Sequence, residues 1–592
     1  MSMQNQILHK DYTSYGGTFQ PSLPLNFEFQ IKKDDPVRLL LHCIHQMDLT
    51  PLYRSFRRAE RNLVSPHQLL AILIYAYMNQ IYSSRRIEEV CLRDIHFMYL
   101  LEGRPAPDHT TIARFRRDHF APCAKEILAQ MAQFLASVGA ISFENLFVDG
   151  TKIEAVAGKY TFVWKKGVAK NRTKLMEKLD TFLAGVEKEF GIHLRRGSEI
   201  RLHHLKRLRR RLKRIQREQN IIFVYGSGKR KTVLQRTMET LDSYISRLKD
   251  YTKKLHICGE RNSFSKTDYE ATFMRMKEDA MKNGQLKPAY NLQYGVEASF
   301  IVWAGVYPNP TDTRTLIPFL EDFHAHIGKR SRKLVADAGY ESEENYLYLR
   351  EKGQTSYIKP NNYEVSKKRK WKQDIGRREN MNYLAAEDVY RCAEGRRLVV
   401  TGTRRTKSAS GYVSEKTIYT CINCNGCERK KQCIHGNHSK IPMEERTKRL
   451  EVAKVFQRER AKNLARIKST EGIVLRMNRS IQAEGVFAQI KAAFGFRRFL
   501  TRGRANVLGE TILLALAHNV FKLHRKIQSG TLGRHLVPVI RRRRKEANKG
   551  TRTRASITIV LIRVPYFCRG VSFRYRCFAI CPYTKRRTVA QR

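Results

Sequence analysis

Three acidic residues occur where their carboxylates could do chemistry together. Asp149 follows the apolar run of ENLFVDGT, and Asp337 follows that of KLVADAGY. Glu484 lies in IQAEGVFAQIKAAF, which has the pattern of a helix. Three carboxylates can hold two Mg²⁺ or Mn²⁺ ions, so that one ion activates a water or a 3′-hydroxyl and the other stabilises the leaving oxygen of a phosphodiester. The three residues are therefore candidates for metal-dependent phosphoryl transfer.

The segments around these acids predict an α/β core. Strands are expected at AYNLQYGVEA, SFIVWAGVYP, KLVADAGY and TSYIKP, with helices over 313–327 and 343–352 between them. Parallel neighbouring strands end at the same edge of a sheet. Asp149 and Asp337 can therefore meet there, and the helix carrying Glu484 can complete the group.

Other acids are weaker candidates. Asp312 precedes the helix expected at 313, and a helix cap is its simplest role. Glu471 and Glu510 are expected on helices. Asp268 and Asp279 are expected to order a loop.

The charge of the chain indicates a polyanionic partner. Its 592 residues contain 112 Lys and Arg but 55 Asp and Glu, which gives a formal net charge of +57. A hydrophobic content of 42% excludes a disordered basic tail protein. The longest apolar run, 69–78, is far shorter than the ~20 residues of a membrane span, so no membrane association is expected. With no export signal at the N-terminus, we expect a cytoplasmic, nucleoid-associated protein.

Residues 36–138 have a helical pattern that could read DNA. Ser65 to Gln68 forms a capping box with proline at the first helical position, and Asp108 is the expected N-cap of a later basic helix. The exposed face of that basic helix is expected to carry Arg114, Arg116 and Arg117. A short helix, a turn and a basic helix are typical of a helix-turn-helix domain. The alternative is a helical bundle with a solvated basic face.

Residues 165–285 predict a basic helical insertion. One of its helices combines a narrow apolar row, Leu202 to Ile215, with a wide cationic face. The face carries Arg207, Arg209, Arg210, Arg211, Lys213, Arg214 and Arg217. Its charges could contact phosphates, or could be the solvated charges of a coiled-coil hairpin.

A cysteine cluster lies in the basic, β-like segment 362–442. Cys421, Cys424, Cys427 and Cys433 are separated by two, two and five residues. Four thiolates can hold a structural Zn²⁺ in a segment with little core of its own. Free reduced thiols are the alternative.

The acids and several longer segments together resemble the DDE transposases of bacterial insertion sequences. FVDGT is followed 188 residues later by the aspartate of VADAGY, and then by a glutamate with Lys491 seven positions on. The segments PDHTTIARFR, PNPTDTRTL and FGFRRFLTRGRANVLGETILLALAHN resemble the group named after insertion sequence eleven-eighty-two. The resemblance implies an RNase H-like core, with Asp149, Asp337 and Glu484 as metal ligands and Lys491 as a contact to terminal DNA.

The resemblance also directs attention to arginines near Glu484. In related transposases a tyrosine and an arginine precede the glutamate by seven and four residues. Here those positions hold Met477 and Ser480, and Arg479 lies one residue further away. Arg479 is a candidate phosphate contact, and the basic loop GFRRFLTRGRAN adds Arg497, Arg498 and Arg502.

We therefore predict a cut-and-paste transposase that binds double-stranded DNA at the inverted repeats of its element, acts as a homodimer and uses Mg²⁺ or Mn²⁺, with a possible structural Zn²⁺. The alternatives are an RNase H-like nuclease without strand transfer and an inactive DNA-binding regulator.

The basic tail after about residue 529 resembles nothing in the family, and we interpret it as an extension. The predicted domains are 1–35, a polar segment; 36–138, helix-turn-helix; 139–164 with 286–361, catalytic core; 165–285, helical insertion; 362–442, cysteine-containing insertion; 443–525, helices carrying the glutamate; and 526–592, tail.

Overall fold

The structure is a computed structural model that describes residues 31–56, 64–194, 199–226, 228, 230–276, 284–435 and 441–538. Most of the polar N-terminal segment and most of the basic tail lie outside these residues, as does Asp279. None of the helices in the described ranges has the length and apolar character needed to cross a membrane.

The N-terminal part of the chain is helical, as the sequence predicts. The capping box is confirmed, because the backbone N–H of Ser65 donates to the Gln68 side chain at 3.0 Å. Asp108 is confirmed as an N-cap, since its side chain accepts from the N–H of Thr111. The helices are α1 (Pro36–Gln46), α2 (Thr50–Arg54), α3 (Pro66–Met78), α4 (Ser84–Cys91), α5 (Ile95–Leu101), α6 (His109–Arg114) and α7 (Ala121–Ser137).

A π-helical segment, Phe115–Phe120, joins α6 to α7. Pro122 lies in the first turn of α7 and has no N–H to donate into the preceding turn. A π turn widens the helix there, because its hydrogen bonds run to the fifth residue instead of the fourth. The faces of the helix before and after this turn are consequently rotated relative to a continuous α-helix.

The central part of the chain alternates strands and helices, interrupted by three helices of an insertion. Its elements are β1 (Asn145–Glu154), β2 (Phe162–Trp164), α8 (Lys165–Phe190), α9 (Leu202–Glu218), α10 (Val233–Cys258), β3 (Ser263–Ser265), β4 (Thr272–Arg275), β5 (Leu286–Glu297), β6 (Phe300–Tyr307), α11 (Leu316–Ile327), β7 (Lys333–Ala336), α12 (Glu343–Glu351) and β8 (Thr355–Ile358).

Six of these strands form one sheet. Its strand order is β4-β5-β1-β7-β8, with β6 also paired to β5. Strand β5 is antiparallel to β1 and β6, whereas β7 is parallel to both β1 and β8. The predicted strands are thus confirmed. Three antiparallel strands, β6, β5 and β1, are followed by β7 and β8, which run parallel to β1. This arrangement is consistent with an RNase H-like core.

The helical insertion has a core of its own. Leu175 and Leu179 from α8, Leu205 and Leu208 from α9, and Leu241 from α10 belong to one buried cluster, separate from the main core. Strands β2 and β3 pair at the base of the insertion. The three helices are therefore held together by leucines at helical spacing, as the sequence predicts.

The C-terminal part of the chain contains a second sheet and the closing helices. The sheet is antiparallel, with the order β13-β12-β11-β10-β9. The elements are α13 (Arg369–Lys372), β9 (Asn382–Leu384), β10 (Val389–Arg391), β11 (Arg397–Lys407), β12 (Val413–Cys421), α14 (Lys430–Cys433), β13 (Arg449–Val452), α15 (Lys454–Lys468), α16 (Thr470–Arg479), α17 (Gly485–Ala488) and α18 (Arg504–Gln528).

The interpretation of 443–525 as helical is wrong near its start. Residues Arg449–Val452 form β13, because Leu450 and Val452 pair with β12 and pack on the small core of the second sheet. The boundaries predicted for the domains are not tested by these elements and stay predictions.

Two further π-helical segments interrupt the helix that carries Glu484. Ser480–Glu484 separates α16 from α17, and Gln489–Ala493 follows α17. Glu484 ends the first segment and Lys491 lies in the second. Helix α18 then runs through the centre of the main core, where most of its residues are buried.

Candidate functional site

Asp149 and Asp337 lie side by side where the parallel pairing of β1 with β7 ends, although β1 itself continues to Glu154. Strand β1 pairs with β7 in parallel, and Val148 faces Ala336, so the two aspartates are the next residues on neighbouring strands. Asp149 is buried. The Asp337 carboxylate accepts a hydrogen bond of 2.8 Å from the N–H of Gly339, which caps a short 3₁₀ turn. The structure therefore brings these two predicted residues together.

A third aspartate joins them. The Asp312 Oδ1 atom accepts hydrogen bonds of 2.8 Å from both Asn291 Nδ2 and Gln293 Nε2, two side chains of β5. A Cβ added to Gly339 would lie 3.0 Å from Asp337 Oδ1 and 3.3 Å from Asp312 Oδ2, so both carboxylates border the same point. The interpretation of Asp312 as a helix cap is wrong, because its side chain is turned to β5 and not to the start of α11.

Gly150 makes room for this arrangement. A Cβ at position 150 would lie 2.3 Å from Gln293 Nε2 and 2.9 Å from Asp312 Oδ1. Carbon atoms do not approach buried polar atoms so closely. Glycine after Asp149, inside strand β1, is therefore required by the packing of Gln293 and Asp312.

Tyr340 lies beneath Asp149, Asp312 and Asp337, the group of aspartates that we call the acidic edge. It is fully buried, and its hydroxyl donates a hydrogen bond to the Gln293 side chain. Burial raises the pKa of Tyr340 well above its usual value, and the charges of Asp312, Asp149 and Asp337 raise it further. All three carboxylates are consequently close enough to act on one phenol.

Arg479 connects Asp149 to Glu484. Its Nη1 atom lies 3.2 Å from Asp149 Oδ2, and its Nη2 atom lies 2.7 Å from Glu484 Oε1. Ser480 Oγ donates to the second oxygen of Glu484 at 3.0 Å. The three residues of the predicted catalytic set therefore converge on one region, with the Arg479 guanidinium between strand β1 and the helix.

The π-helical segment explains how Arg479 reaches Glu484. Residues five apart lie about 140° apart around an α-helix, but they stack in a π-helix, whose hydrogen bonds join residues i and i+5. Arg479 therefore occupies the place that a residue four positions before the glutamate would have in an α-helix. This compensates for its one-residue displacement from the family signature.

The donors at this site suit a hard cation, since all are carboxylate oxygens. Glu484 is accessible, with 54% of its side chain exposed. As the side chains stand, however, no three His, Cys, Asp or Glu residues of the described chain are arranged to hold a metal ion. Arg479 provides the positive charge between Asp149 and Glu484 in this arrangement.

Lys491 and Arg497 lie together at one surface pocket. Both line a pocket of about 350 Å³ with Phe487, Ala488 and Ala492. Lys491 lies seven residues after Glu484 on the same interrupted helix. The pocket thus brings the predicted lysine and one of the predicted loop arginines into one basic surface.

Arg498 and Arg502 fasten the basic loop to the end of β1. Arg498 Nε and Nη2 donate to the carbonyls of Ala155 and Ala157 at 3.3 and 3.4 Å, and Arg502 Nε donates to that of Val156 at 3.2 Å. Both arginines remain exposed. They position the loop beside the strand that carries Asp149 while their outer surfaces stay accessible.

Glu510 also holds the basic loop in place. Its carboxylate is buried in α18 and accepts from the N–H groups of Leu500 and Thr501 and from the Thr501 hydroxyl at 3.0 Å. Burial raises the pKa of Glu510, an effect that the charge of Arg116 opposes. Glu510 thus has a structural role.

Arg114 and Arg117 lie in a groove of the N-terminal region. With Arg85 they line a depression of about 550 Å³ between α4 and α6. His109 and Ser84 also line it. Arg85, at the start of α4, was not among the residues predicted to contact DNA. Its position in a basic pair at the start of a short helix was the only feature of the sequence that could have indicated such a contact.

The placement of Arg116 on the exposed face is wrong. Arg116 is buried, donates from Nη2 to the Tyr82 carbonyl at 3.1 Å and lies over the Tyr77 ring. His119, three residues further along, is buried as well. The π-helical segment that contains both residues turns them inward.

The cysteines gather at one end of the second sheet. Cys421 and Cys424 are buried in its core, and Cys392 and Cys433 pack against them. Burial raises the pKa of Cys421 to about 12. Cys392 was not included in the sequence prediction, because it lies 29 positions before Cys421. Zinc binding by this cluster stays a prediction.

The competing acids have other partners. Glu471 pairs with Lys333 at 2.7 Å and accepts from the Tyr357 hydroxyl at 2.6 Å. Asp268 accepts from the Tyr290 hydroxyl and orders its loop, as expected.

Two family models match parts of the chain. The model described as Transposase DDE domain matches residues 391–524, and the one described as Transposase domain (DUF772) matches residues 25–118. Both matches indicate a transposase family. Comparison with curated proteins and with solved structures found no match.

The transposase matches cover different parts of the site. The DDE-domain match includes Glu484, Lys491 and the basic loop, whereas Asp149 and Asp337 lie outside it. The second match includes Arg114 and Arg117. A transposase domain implies DNA as a partner, and a DDE domain suggests nuclease or transposition activity.

Proposed function

We propose that the protein is a DNA transposase that binds the terminal inverted repeats of its element, cuts the DNA and joins the freed end to a target. The catalytic residues of this proposal are Asp149, Asp337 and Glu484. The observation that carries it is the convergence of two aspartates on parallel strands with a helix-borne glutamate, linked through Arg479.

The three carboxylates would hold Mg²⁺ or Mn²⁺. When bound, these ions activate the attacking hydroxyl and stabilise the leaving oxygen of the phosphodiester. Asn291 and Gln293 fix the Asp312 carboxylate beside Asp337, which adds a fourth acidic group to the edge. The buried floor of Tyr340 and Gln293 keeps this edge rigid.

The basic side chains divide into two proposed DNA contacts. Lys491 and Arg497, with the outer surfaces of Arg498 and Arg502, would hold the DNA end that is cut. Arg114 and Arg117, with Arg85, line the α4–α6 groove and would bind the repeat, in line with a helix-turn-helix domain in 36–138. Arg479 would meet a phosphate only after releasing a carboxylate.

Several finer features belong to the same proposal. The chain would be similar to the group of insertion sequence eleven-eighty-two and act as a homodimer, because two element ends must be brought together. The cysteine-containing insertion would bind one structural Zn²⁺. Zinc analysis of purified protein tests this, with Cys421→Ser and Cys424→Ser expected to lose the ion and Cys91→Ser, in a distant helix, expected to retain it.

The test of the function is cleavage and joining of DNA. Wild-type protein should cut a DNA that carries an element end in the presence of Mg²⁺, and should join the cut end to a second plasmid. Asp149→Ala and Asp337→Ala should do neither, although both should still bind the end. Undiminished cleavage by either variant would remove that residue from the site.

The two alternatives give different outcomes. Cleavage without any joined product would indicate a nuclease, and end binding without cleavage in any divalent metal would indicate a regulator. The presence of all three carboxylates in one region argues against the inactive regulator.

A further inference from the structure

The helical insertion presents one helix with a basic outer side. In α9 only Leu205, Leu208 and Leu212 are buried, and they belong to the separate core that α8, α9 and α10 share. The insertion therefore contributes no side chain of α9 to the acidic edge. Any role of α9 beyond packing in this core therefore depends on the surface that it exposes.

The cations on the two flanks of α9 have partners within the insertion. Arg209 forms two hydrogen bonds with Asp242 of α10, one of 3.1 Å from Nη2 to Oδ2. On the other flank, Arg211 Nη1 donates to the His193 carbonyl at 3.0 Å. These contacts fix the rotation of α9 about its own axis.

The fixed rotation turns a row of cations outward. The row, which we call the outer row, consists of Lys206, Arg210, Lys213 and Arg217, at spacings of four, three and four residues. At 100° per residue its centre lies about 135° around the helix from the buried leucines. All four side chains are exposed, and in the described part of the chain none has an ion pair or hydrogen-bond partner.

Such a row is unfavourable by itself. Like charges three and four residues apart on a helix repel each other and destabilise it. The only acidic residue of α9, Glu218, lies at its last position, so no neighbour on the helix neutralises the row. A polyanion would remove this repulsion.

The dimensions of the row suit duplex DNA. From Lys206 to Arg217 the helix rises about 17 Å, the length of about five successive phosphates on one strand. The row holds no amide side chain that could read a base edge, and lysine and arginine are the usual contacts to phosphates. A surface of this kind holds DNA without regard to its sequence.

We propose that the outer row of α9 binds the phosphate backbone of duplex DNA of any sequence, outside the acidic edge. The proposal rests on the proposed function only in taking DNA as the substrate. It adds a third DNA surface, one that is independent of sequence and separate from both the α4–α6 groove and the basic loop.

The test compares two variants of the full chain. In the first, Lys206, Arg210, Lys213 and Arg217 are changed to Ala, which maintains helix propensity. In the matched control, four exposed cations of α10 are changed to Ala, namely Arg236, Arg247, Lys249 and Lys253. Each protein is titrated with a duplex of about 30 base pairs of arbitrary sequence over a range of salt concentrations.

The outer-row variant should bind more weakly, and the slope of log K against log salt should become shallower by about 3 to 4, since each lost phosphate contact changes it by about 0.9. The control should keep a slope close to that of the wild type. An unchanged slope in the outer-row variant overturns the proposal, and so does an equal loss in both variants. Stronger binding of single-stranded RNA than of the duplex would overturn the choice of DNA.

A second measurement covers the case in which a variant fails to fold. In the wild-type protein, hydrogen exchange of the α9 peptides should slow when the arbitrary duplex is added, and unchanged exchange would also overturn the proposal. Neither measurement depends on cleavage. A wild-type protein that binds through α9 but never cuts DNA would contradict the proposed function and leave this one standing.

Discussion

Arg479 and Glu484 lie five residues apart and are joined by a hydrogen bond of 2.7 Å from Nη2 to Oε1. The bond forms because the intervening helix is a π-helix. The other nitrogen of the same guanidinium pairs with Asp149, so one arginine links the Glu484 carboxylate to the core sheet.

Arg479→Ala should therefore lower Mg²⁺-dependent cleavage. Loss of hydrogen bonds to charged groups typically costs 1.5 to 3 kcal/mol, which corresponds to about a 10- to 100-fold lower rate. Arg479→Lys should restore part of the activity, because one ammonium cannot bridge both carboxylates as a planar guanidinium does. Full activity in the alanine variant would show that Arg479 does not position the site.

Gly150→Ala should disturb the site through packing. The added methyl group would collide with Gln293 and Asp312, at an expected cost of about 1 to 3 kcal/mol in unfolding free energy together with lower cleavage. Gly185→Ala is a suitable control, because nothing lies within 4 Å of its Cβ in the middle of α8. It should leave cleavage unchanged and raise stability slightly. Equal behaviour of the two variants in thermal unfolding and cleavage would contradict the packing argument.

Asp312→Asn should weaken metal-dependent activity. The amide keeps the shape of the side chain but removes a charge from the acidic edge, so a higher Mg²⁺ concentration should be needed for half-maximal cleavage. Asp242→Asn, in the insertion, removes a charge from a pair with Arg209 and should leave the Mg²⁺ dependence as it is. Identical Mg²⁺ titrations for Asp312→Asn and wild type would remove Asp312 from the acidic edge.

His518 should make stability depend on pH. It is buried in α18, its Nε2 donates to the Ser299 carbonyl at 2.9 Å, and burial lowers its pKa from 6.5 to about 4. The unfolded chain takes up a proton more readily than the folded one, so the stabilising contribution is complete above pH 6.5 and is lost as the pH falls toward 4. By about pH 5 the loss is about 2 kcal/mol.

Urea unfolding at about pH 7.5 and about pH 5 measures this effect. The stability difference between the two pH values should be smaller in His518→Gln than in the wild type. An equal difference in both proteins would contradict a buried neutral histidine.

The sequence was sufficient to predict the parts of the site that depend on regular structure. Asp149 and Asp337 each follow a run of apolar residues, and the two runs pair as neighbouring parallel strands, so that the residues following them lie side by side. Glu484 could be selected because a lysine follows seven residues later on the same helix.

The parts that could not be predicted depend on tertiary packing. The burial of Arg116 and the pairing of Arg479 with Glu484 were not predicted, because each arginine borders or lies in a π-helical segment, where the 100° periodicity of an α-helix fails. Asp312 was misinterpreted because its partners, Asn291 and Gln293, come from a strand about 20 residues earlier. Residues 449–452 pair with a strand that their own polar sequence does not reveal.

The central claim, that Glu484 completes one site with Asp149 and Asp337, is tested most directly by single-turnover cleavage of an end-bearing DNA in Mg²⁺. Glu484→Gln is compared with Glu471→Gln. Glu471 lies in the first turn of the same interrupted helix, but its carboxylate pairs with Lys333. We expect the Glu484 variant to cut at least about 100-fold more slowly than wild type and the Glu471 variant to cut at close to the wild-type rate. Equal rates for Glu484→Gln and the wild type would contradict the account.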